Sequence, residues 1–407
     1  MNTRRIWIQF ALAAALVSGA APAAAEQDGD VRESYSYLRT LDGTVMVAAP
    51  GNGPGEPAEA NQPLLVGDEV RLDRGARAEL LLADRSVLRL EGGSALTLEQ
   101  VAFSADRQDR STALGLTEGE LVLVVTDDAL GDQLPEVRTA AGTIFLNAPG
   151  TYRVEATRDG WTELVVREGY AEMVTDQGST IVRGGESAST EGGARGRVRV
   201  ATAGPEDGLE RWGRDLHERA AIASSSVSYV EPELAYAAAP LADHGSWIYI
   251  DSSWSWRPRV EVGWRPYWRG RWSPTPSGLT WISSEPWGWV PYHYGTWVVA
   301  PGYGWVWRPG RVYSPAWVYW TWGADWTGWC PIGYYTGFYD PWYRRGFRGG
   351  IYGWAGGGWG FYSDWNFVPT WCVNRRDWHH HRRTGHELGR GGHGQSPHGI
   401  ITTDTRG

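Results

Sequence analysis

Arg77-Ala78-Glu79-Leu80-Leu81-Leu82-Ala83-Asp84-Arg85-Ser86-Val87-Leu88-Arg89-Leu90-Glu91-Gly92-Gly93-Ser94-Ala95-Leu96-Thr97-Leu98 decides the fold class. Short apolar runs are separated by the polar pair Asp84-Arg85 and by Glu91-Gly92-Gly93-Ser94, and no run is long enough for a helix. Residues two apart share a strand face, and polar or glycine-rich pairs between such runs make turns. The pattern extends outward in both directions, from Tyr37 to about Ser189. Further runs stand at Leu121–Val125, Gly142–Leu146, Tyr152–Glu155, Glu163–Val166 and Ala171–Val174, with Asp159-Gly160 and Glu168-Gly169 as turns. The expectation is an all-β domain in which Glu79, Glu118 and Glu120 lie on solvated strand faces.

Several of these segments carry a family likeness. Val66-Gly67-Asp68-Glu69-Val70 leads into the stretch above, and Leu116-Thr117-Glu118-Gly119-Glu120-Leu121 and Val137-Arg138-Thr139-Ala140-Ala141-Gly142-Thr143 follow. Gly150-Thr151-Tyr152-Arg153-Val154, Val165-Val166-Arg167-Glu168-Gly169-Tyr170 and Arg183-Gly184-Gly185-Glu186 close the series. Residues 37–188 resemble the FecR domain. The resemblance implies an exported stack of short strands, solenoid-like or sandwich-like. The family is named for a regulator that carries an iron-uptake signal to a cytoplasmic sigma factor. Arg85 departs from the pattern, because the family usually has Gly there.

The flanking segments set the context. Arg4 and Arg5, the apolar run Ile6–Val17 and Ala23-Ala24-Ala25 read as a secretory leader over residues 1–25, cleaved near Ala25. The mature product is then expected in the periplasm or secreted, without a membrane span. Net charge is −9, and it is unevenly spread. Glu26–Glu210 holds 17 Arg against 33 Asp and Glu, whereas Arg211–Gly407 holds 19 Arg against 14. The acidic half disfavours nucleic acid as a partner. Residues 189–243 read as a linker, loose at Gly192–Gly204. One amphipathic helix follows at about Pro205–Ala223, with Asp207 as its N-cap and Trp212 packed on a neighbouring domain.

Residues 244–333 repeat every 25 residues. Gly245-Ser246-Trp247, Gly270-Arg271-Trp272 and Gly295-Thr296-Trp297 share the triplet Gly-x-Trp, and Trp256 and Trp281 keep the same step. A fixed period marks an array whose units bury their apolar faces on one another. The segments Trp287-Gly288-Trp289-Val290-Pro291-Tyr292-His293-Tyr294-Gly295 and Gly304-Trp305-Val306-Trp307-Arg308-Pro309-Gly310 resemble a Trp-rich repeat region of unknown function found after some exported FecR domains. Indoles serve either as core or as platforms for sugar rings. Trp268, Trp287 and Trp305 are the candidate exposed rings, with Arg265, Arg271 and Arg308 as neighbouring donors.

Cys330 and Cys372, 42 residues apart, are a candidate disulfide. Residues 334–407 read as a Gly, Trp, His and Arg-rich tail, partly disordered. Its imidazoles at His379, His380, His381, His386, His393 and His398 lack a cage, so no metal is assigned, and no cofactor is implied. Ser283, Ser284, Glu285 and His293 are close in sequence, but no nucleophile elbow surrounds either serine. The expectation is a non-enzymatic exported binding or scaffold protein contacting an envelope glycan or an envelope protein. The alternative is a FecR-type sensing component working with a separate membrane partner.

Overall fold

The computed structural model describes residues 34–333, apart from 106, 108, 128, 132, 192–195 and 224–227, and then residues 365–390 and 401–402. The expected leader, His393 and His398 lie outside the described residues. Those described fall in one compact unit, and they form an all-β protein with few helices.

The first half follows the alternation read above. Its strands are β1 (Ser36–Asp42), β2 (Val45–Ala48), β3 (Glu56–Pro57), β4 (Pro63–Leu64), β5 (Glu69–Leu72), β6 (Arg77–Leu81), β7 (Val87–Glu91), β8 (Ala95–Gln100) and β9 (Ala113–Val125). Then come β10 (Glu136–Thr139), β11 (Gly142–Leu146), β12 (Gly150–Ala156), β13 (Thr162–Glu168), β14 (Tyr170–Thr175), β15 (Gly178–Arg183), β16 (Glu186–Glu191) and β17 (Arg197–Thr202). One sheet runs β4-β1-β6-β7-β9-β12-β13-β16-β17. The other runs β3-β2-β5-β8-β9-β10-β11-β14-β15. Strand β9 serves both, pairing β8 through Ala113–Glu118 and β12 through Gly119–Val125. Leu80, Leu88, Leu121 and Leu123 from one sheet meet Val70, Leu96, Leu114 and Ile144 from the other in a single buried core. Strand β17 falls inside the stretch expected to be a loose linker, where Val198 packs on the same core. The turn at Asp84-Arg85 puts Arg85 at φ 76°. It thus adopts the left-handed conformation in which glycine is at ease, at a cost of order 1 kcal/mol for a side chain.

Helix α1 (Gly208–Ile222) starts at the expected cap. The Asp207 carboxylate accepts from Glu210 N, and the Glu210 carboxylate accepts from Asp207 N. Trp212 lies under the Arg77 guanidinium, on the sandwich as expected. Two short helices, α2 (Ala235–Ala238) and α3 (Leu241–His244), lead into the repeats.

Each 25-residue unit is a β-hairpin. The pairs are β18 (Gly245–Ile250) with β19 (Ser253–Pro258), and β20 (Gly270–Thr275) with β21 (Gly278–Ser283). After α4 (Trp289–His293) come β22 (Tyr294–Ala300) with β23 (Gly304–Tyr313), then β24 (Val318–Trp322) with β25 (Trp326–Pro331). Every hairpin sets two tryptophans directly opposite each other: Trp247 and Trp256, Trp272 and Trp281, Trp297 and Trp307, Trp320 and Trp329. The glycine of Gly-x-Trp follows from this pairing. A Cβ on Gly270 would lie 2.8 Å from the Trp281 ring, and one on Gly245 would lie 2.4 Å from the Trp256 ring. The returning indole covers the glycine diagonally across the pair.

These indoles form the second core. Trp256, Trp272, Trp281, Trp297, Trp307 and Trp329 are fully buried, with edge-to-face contacts such as Trp272 to Trp281 at 5.0 Å. Residues 365–390, expected within a partly disordered tail, are folded here instead. Strand β26 (Asn366–Pro369) pairs with β25, and Trp378 is buried against Trp329. The aromatic side chains of this segment complete a core that the four hairpins leave open. The candidate disulfide does not form. Cys330 sits with Trp365, Phe367 and Leu388, whereas Cys372 sits in the indole core and its Sγ donates to Pro369 O.

The two halves meet through specific contacts. Tyr37 stacks on Trp289 with ring centroids 3.9 Å apart. Asn61 Nδ2 donates to the carbonyls of Ser283 (3.0 Å) and Glu285 (2.8 Å). Arg271 pairs with Glu59, and Arg376 with Glu56. Part of the charge asymmetry between the halves is therefore complementary charge across this contact.

The anchor of α1 predicts a pH response. Glu120 on β9 faces Asp207, and both share Arg153, which also pairs with Glu155 and Glu163. Nearby charges are Arg77, Glu206, Glu210 and Arg167. Burial, reinforced by Asp207, pushes the Glu120 carboxyl up to about 7. A raised carboxyl stabilises the fold fully below its unfolded value and loses that contribution as pH rises through the folded value. Asp207 is held low, so its own change falls in stronger acid, outside this window. The contribution of Glu120 should therefore fall between about pH 5 and about pH 7.5, against the rise that the lowered, buried His293 gives over the acid part of that range, and Glu120→Gln should remove that fall. Melting curves across this range check it; parallel losses in both proteins would contradict the assignment.

Candidate functional site

Most indoles are committed to the core, so a binding surface is sought among those that are not. The first hairpin carries a cluster of this kind. In β18 and β19, Tyr249 and Trp254 are opposed across the strands, and they are 61 % and 43 % exposed. Their rings lie 5.4 Å apart, at 65°. Tyr229 from the connector joins them, 4.4 Å from Trp254 and 4.8 Å from Trp247. The position follows from strand geometry. Trp247, Tyr249, Trp254 and Trp256 share one face, and toward the Asp251-Ser252 turn that face runs out beyond the core. Asp251 and Ser252 both take positive φ, as a two-residue hairpin turn requires. The result is a tilted group of rings, anchored at Trp256 and open at Tyr249. Such a surface suits the flat apolar face of a sugar ring or of a partner's side chains.

The structure distributes the sequence candidates differently. Trp287 is buried, 5 % exposed, and packs on Trp256 at 4.9 Å, so it is a core residue and not a platform. Trp305 is half-buried against the indole core. Arg271 reaches across to Glu59 and belongs to the contact between the halves. Arg308 pairs with Asp251 at 2.8 Å, at the turn of the aromatic hairpin. Trp268 and Arg265 remain together, with the Arg265 guanidinium 5.6 Å from the ring. The signal overlooked was the choice of hairpin. The first unit has Tyr249-Ile250-Asp251-Ser252-Ser253-Trp254, with large aromatics flanking the turn. The second unit has Pro274-Thr275-Pro276-Ser277-Gly278-Leu279 at the same place.

Two polar constellations are structural. Glu79, expected on a solvated face, is completely buried. It accepts from Arg39 Nη1 (2.5 Å), Arg89 Nε (2.9 Å) and Tyr236 Oη (2.9 Å). A buried carboxylate is tolerable only when its lone pairs are filled in this way. The network ties α2 to β1, β6 and β7. Glu285 accepts from Trp264 Nε1 at 3.0 Å and from Tyr292 Oη at 3.2 Å, while Ser283 Oγ donates to it. Burial raises its carboxyl. His293 is buried, held by Ser314 O at 2.9 Å, and desolvation drives it down to about 4, so it is neutral near pH 7. Among the described residues no hydrogen bond joins His293 to Ser283, Ser284 or Glu285. A cavity of about 240 Å³ lies beside Tyr37, Arg89, His217, Tyr236 and Trp289. That is below the usual range for enclosed ligand sites, roughly 300–1,000 Å³.

Two family models match the chain. Residues 68–172 match the FecR protein family, and residues 238–336 match a family of unknown function (DUF6600). The chain thus carries a FecR domain followed by a Trp-rich domain of unknown function. Among curated proteins none matches. Two crystal structures of a candidate anti-sigma factor from Parabacteroides distasonis ATCC 8503 are similar to part of the chain. One is 19% identical with a TM-score of 0.28, covering 33% of this chain and 59% of that one, so less than two thirds of its length is spanned. The other is 16% identical with a TM-score of 0.29, covering 47% of this chain and 99% of that one. A likeness this loose carries nothing about function. Among the described residues no helix is long and apolar enough to cross a membrane.

The division between core and surface rings is open to measurement. Trp281→Ala should cost about 3–5 kcal/mol, because it opens a cavity under Gly270. Trp254→Ala should change stability by no more than about 0.5 kcal/mol. Urea denaturation of both variants checks this, and a similar cost at the two sites would contradict it.

Proposed function

We propose that this chain is a non-enzymatic binding protein of the cell envelope that engages glycan through the aromatic group Tyr229, Trp247, Tyr249 and Trp254. The observation that carries the reading is the exposure of Tyr249 and Trp254 in a module that buries so many of its other indoles. Exposed rings cost solubility, and a hairpin face that keeps two of them suits a surface that stacks on a ligand. Sugar rings present C–H faces to indoles, and Arg308 beside the turn offers a donor for hydroxyl or carboxylate groups. The envelope location rests on the FecR resemblance. The absence of catalysis in this proposal is supported by the buried, neutral His293 and by the structural use of Glu285.

A second reading is favoured by the FecR match itself. In it, the chain senses an envelope ligand and passes the event to a separate membrane partner. The stacked Tyr37 and Trp289 and the bonds from Asn61 give such a protein a stiff path from its aromatic hairpins to its sandwich.

Co-sedimentation of the full chain with insoluble peptidoglycan sacculi, with cellulose as a second matrix, tests the first reading. Retention by one matrix is expected, and Tyr249→Ala with Trp254→Ala should reduce it at least about fivefold, since stacking contacts contribute of order 1 kcal/mol each. Absence of retention on both, or retention untouched by the double variant, would overturn it.

A further inference from the structure

Trp268 lies in the segment that leads into β20, and two guanidinium groups approach its ring. Arg265 stands 5.6 Å from the ring centroid and Arg382 stands 4.3 Å from it. Arg382 arrives from far along the chain, in the segment that follows Trp378, and its Nη1 donates to Trp268 O at 2.5 Å. A third cation, Arg269, is close enough that its charge adds to burial in holding Arg382 below its ordinary value. Arg269 pairs with Glu261. Among the described residues, neither Arg265 nor Arg382 pairs with a carboxylate. Arg265 Nη1 is buried and meets no acceptor.

This arrangement is unusual in the molecule. Most other partly buried arginines have an acid in contact: Arg39 and Arg89 share Glu79, Arg153 has four carboxylates around it, Arg167 holds Glu210 and Arg271 holds Glu59. Gathering like charges on one indole opposes folding unless something offsets it. Cation–π attraction offsets part, and Arg382 Nη1 is taken by Trp268 O, yet the remaining N–H edges of the two forks, the buried Arg265 Nη1 among them, are left without a carboxylate among the described residues. Those edges match the planar, two-oxygen geometry of a carboxylate or the oxygens of a phosphate.

We propose that Arg265, Trp268 and Arg382 form an oxyanion site, which takes a carboxylate or phosphate borne on a sugar-like ring that rests against the indole. The site goes beyond the aromatic hairpin and does not depend on it. It shares no residue with that hairpin, and it differs in requiring charge: binding here depends on two guanidinium groups, whereas stacking on Tyr249 and Trp254 needs none. The expected ligand is an acidic glycan, and the carboxylate and phosphate sources are separable by experiment.

Isothermal titration of the full chain with tri-galacturonate, glucose 6-phosphate, inorganic phosphate and neutral maltotriose tests the proposal. At least one anionic ligand should bind, and maltotriose should bind at least tenfold more weakly. Tri-galacturonate alone identifies a carboxylate source; the phosphate ligands alone identify a phosphate source. Arg265→Gln and Arg382→Gln should each weaken binding at least tenfold, and raising salt from about 50 to about 300 mM should weaken it further. Arg382→Lys keeps the charge and the fold but loses the planar fork, and should weaken binding by a smaller factor. Trp254→Ala should leave anion binding unchanged, which separates failure here from failure of the aromatic hairpin. Equal binding of maltotriose, affinity insensitive to all three arginine variants, or no binding of any anion would overturn the site.

Discussion

Each hairpin of the second half depends on one arrangement: two indoles facing each other across the strands. In the first two hairpins the returning ring also lies over the glycine that opens the outgoing strand. Gly245 beneath Trp256 and Gly270 beneath Trp281 leave no room for a Cβ. The contact sets register, because slipping the pair by one residue would put both indoles on the wrong face. It also supplies the apolar mass of a module poor in leucine and isoleucine. From it follow the 25-residue period, the packing of hairpin on hairpin, and the entry of Trp365, Phe367 and Trp378 from the far end of the chain.

The same requirement explains where surface rings occur. The first hairpin buries Trp256 near its glycine end, where neighbours cover it, and is exposed at its turn. Among the described residues, Tyr249 and Trp254, which flank that turn, make ring contacts only with Tyr229 and each other. In the second hairpin the corresponding positions carry Pro274 and Leu279, and no surface cluster results. In the first hairpin core rings and surface rings are thus both aromatic, and distance from the glycine separates them.

Much of this was legible in the sequence. Period-two alternation from Tyr37 to Ser189 marked the sandwich, and Asp207 marked the start of α1. The Gly-x-Trp spacing marked the first three hairpins. What escaped the reading were contacts between residues remote in sequence. Glu79 alternates like a surface residue, yet Arg39 and Tyr236 converge on it from elements before and after, so it is buried. Trp287 looked like half of an exposed pair, but the turn into α4 carries it under Trp256. Cys330 and Cys372 share a neighbourhood in sequence but pack in different clusters. Arg382 could not be assigned to Trp268 from spacing, since no local pattern signals a contact across most of the second half.

The central claim is that the indole core and the sandwich are one cooperative body, joined through Tyr37 on Trp289, Asn61 on the backbone at Ser283 and Glu285, and Arg271 on Glu59. The alternative, which the charge break near Glu210 would suit, is two halves that fold separately. Thermal unfolding followed at once by tryptophan emission, which reports mainly the hairpins, and by far-ultraviolet circular dichroism, which reports both halves, decides between them. Coincident single transitions are predicted, with Tyr37→Ala lowering both together. Two separated transitions, with Tyr37→Ala leaving the dichroism midpoint of the sandwich in place, would contradict the account.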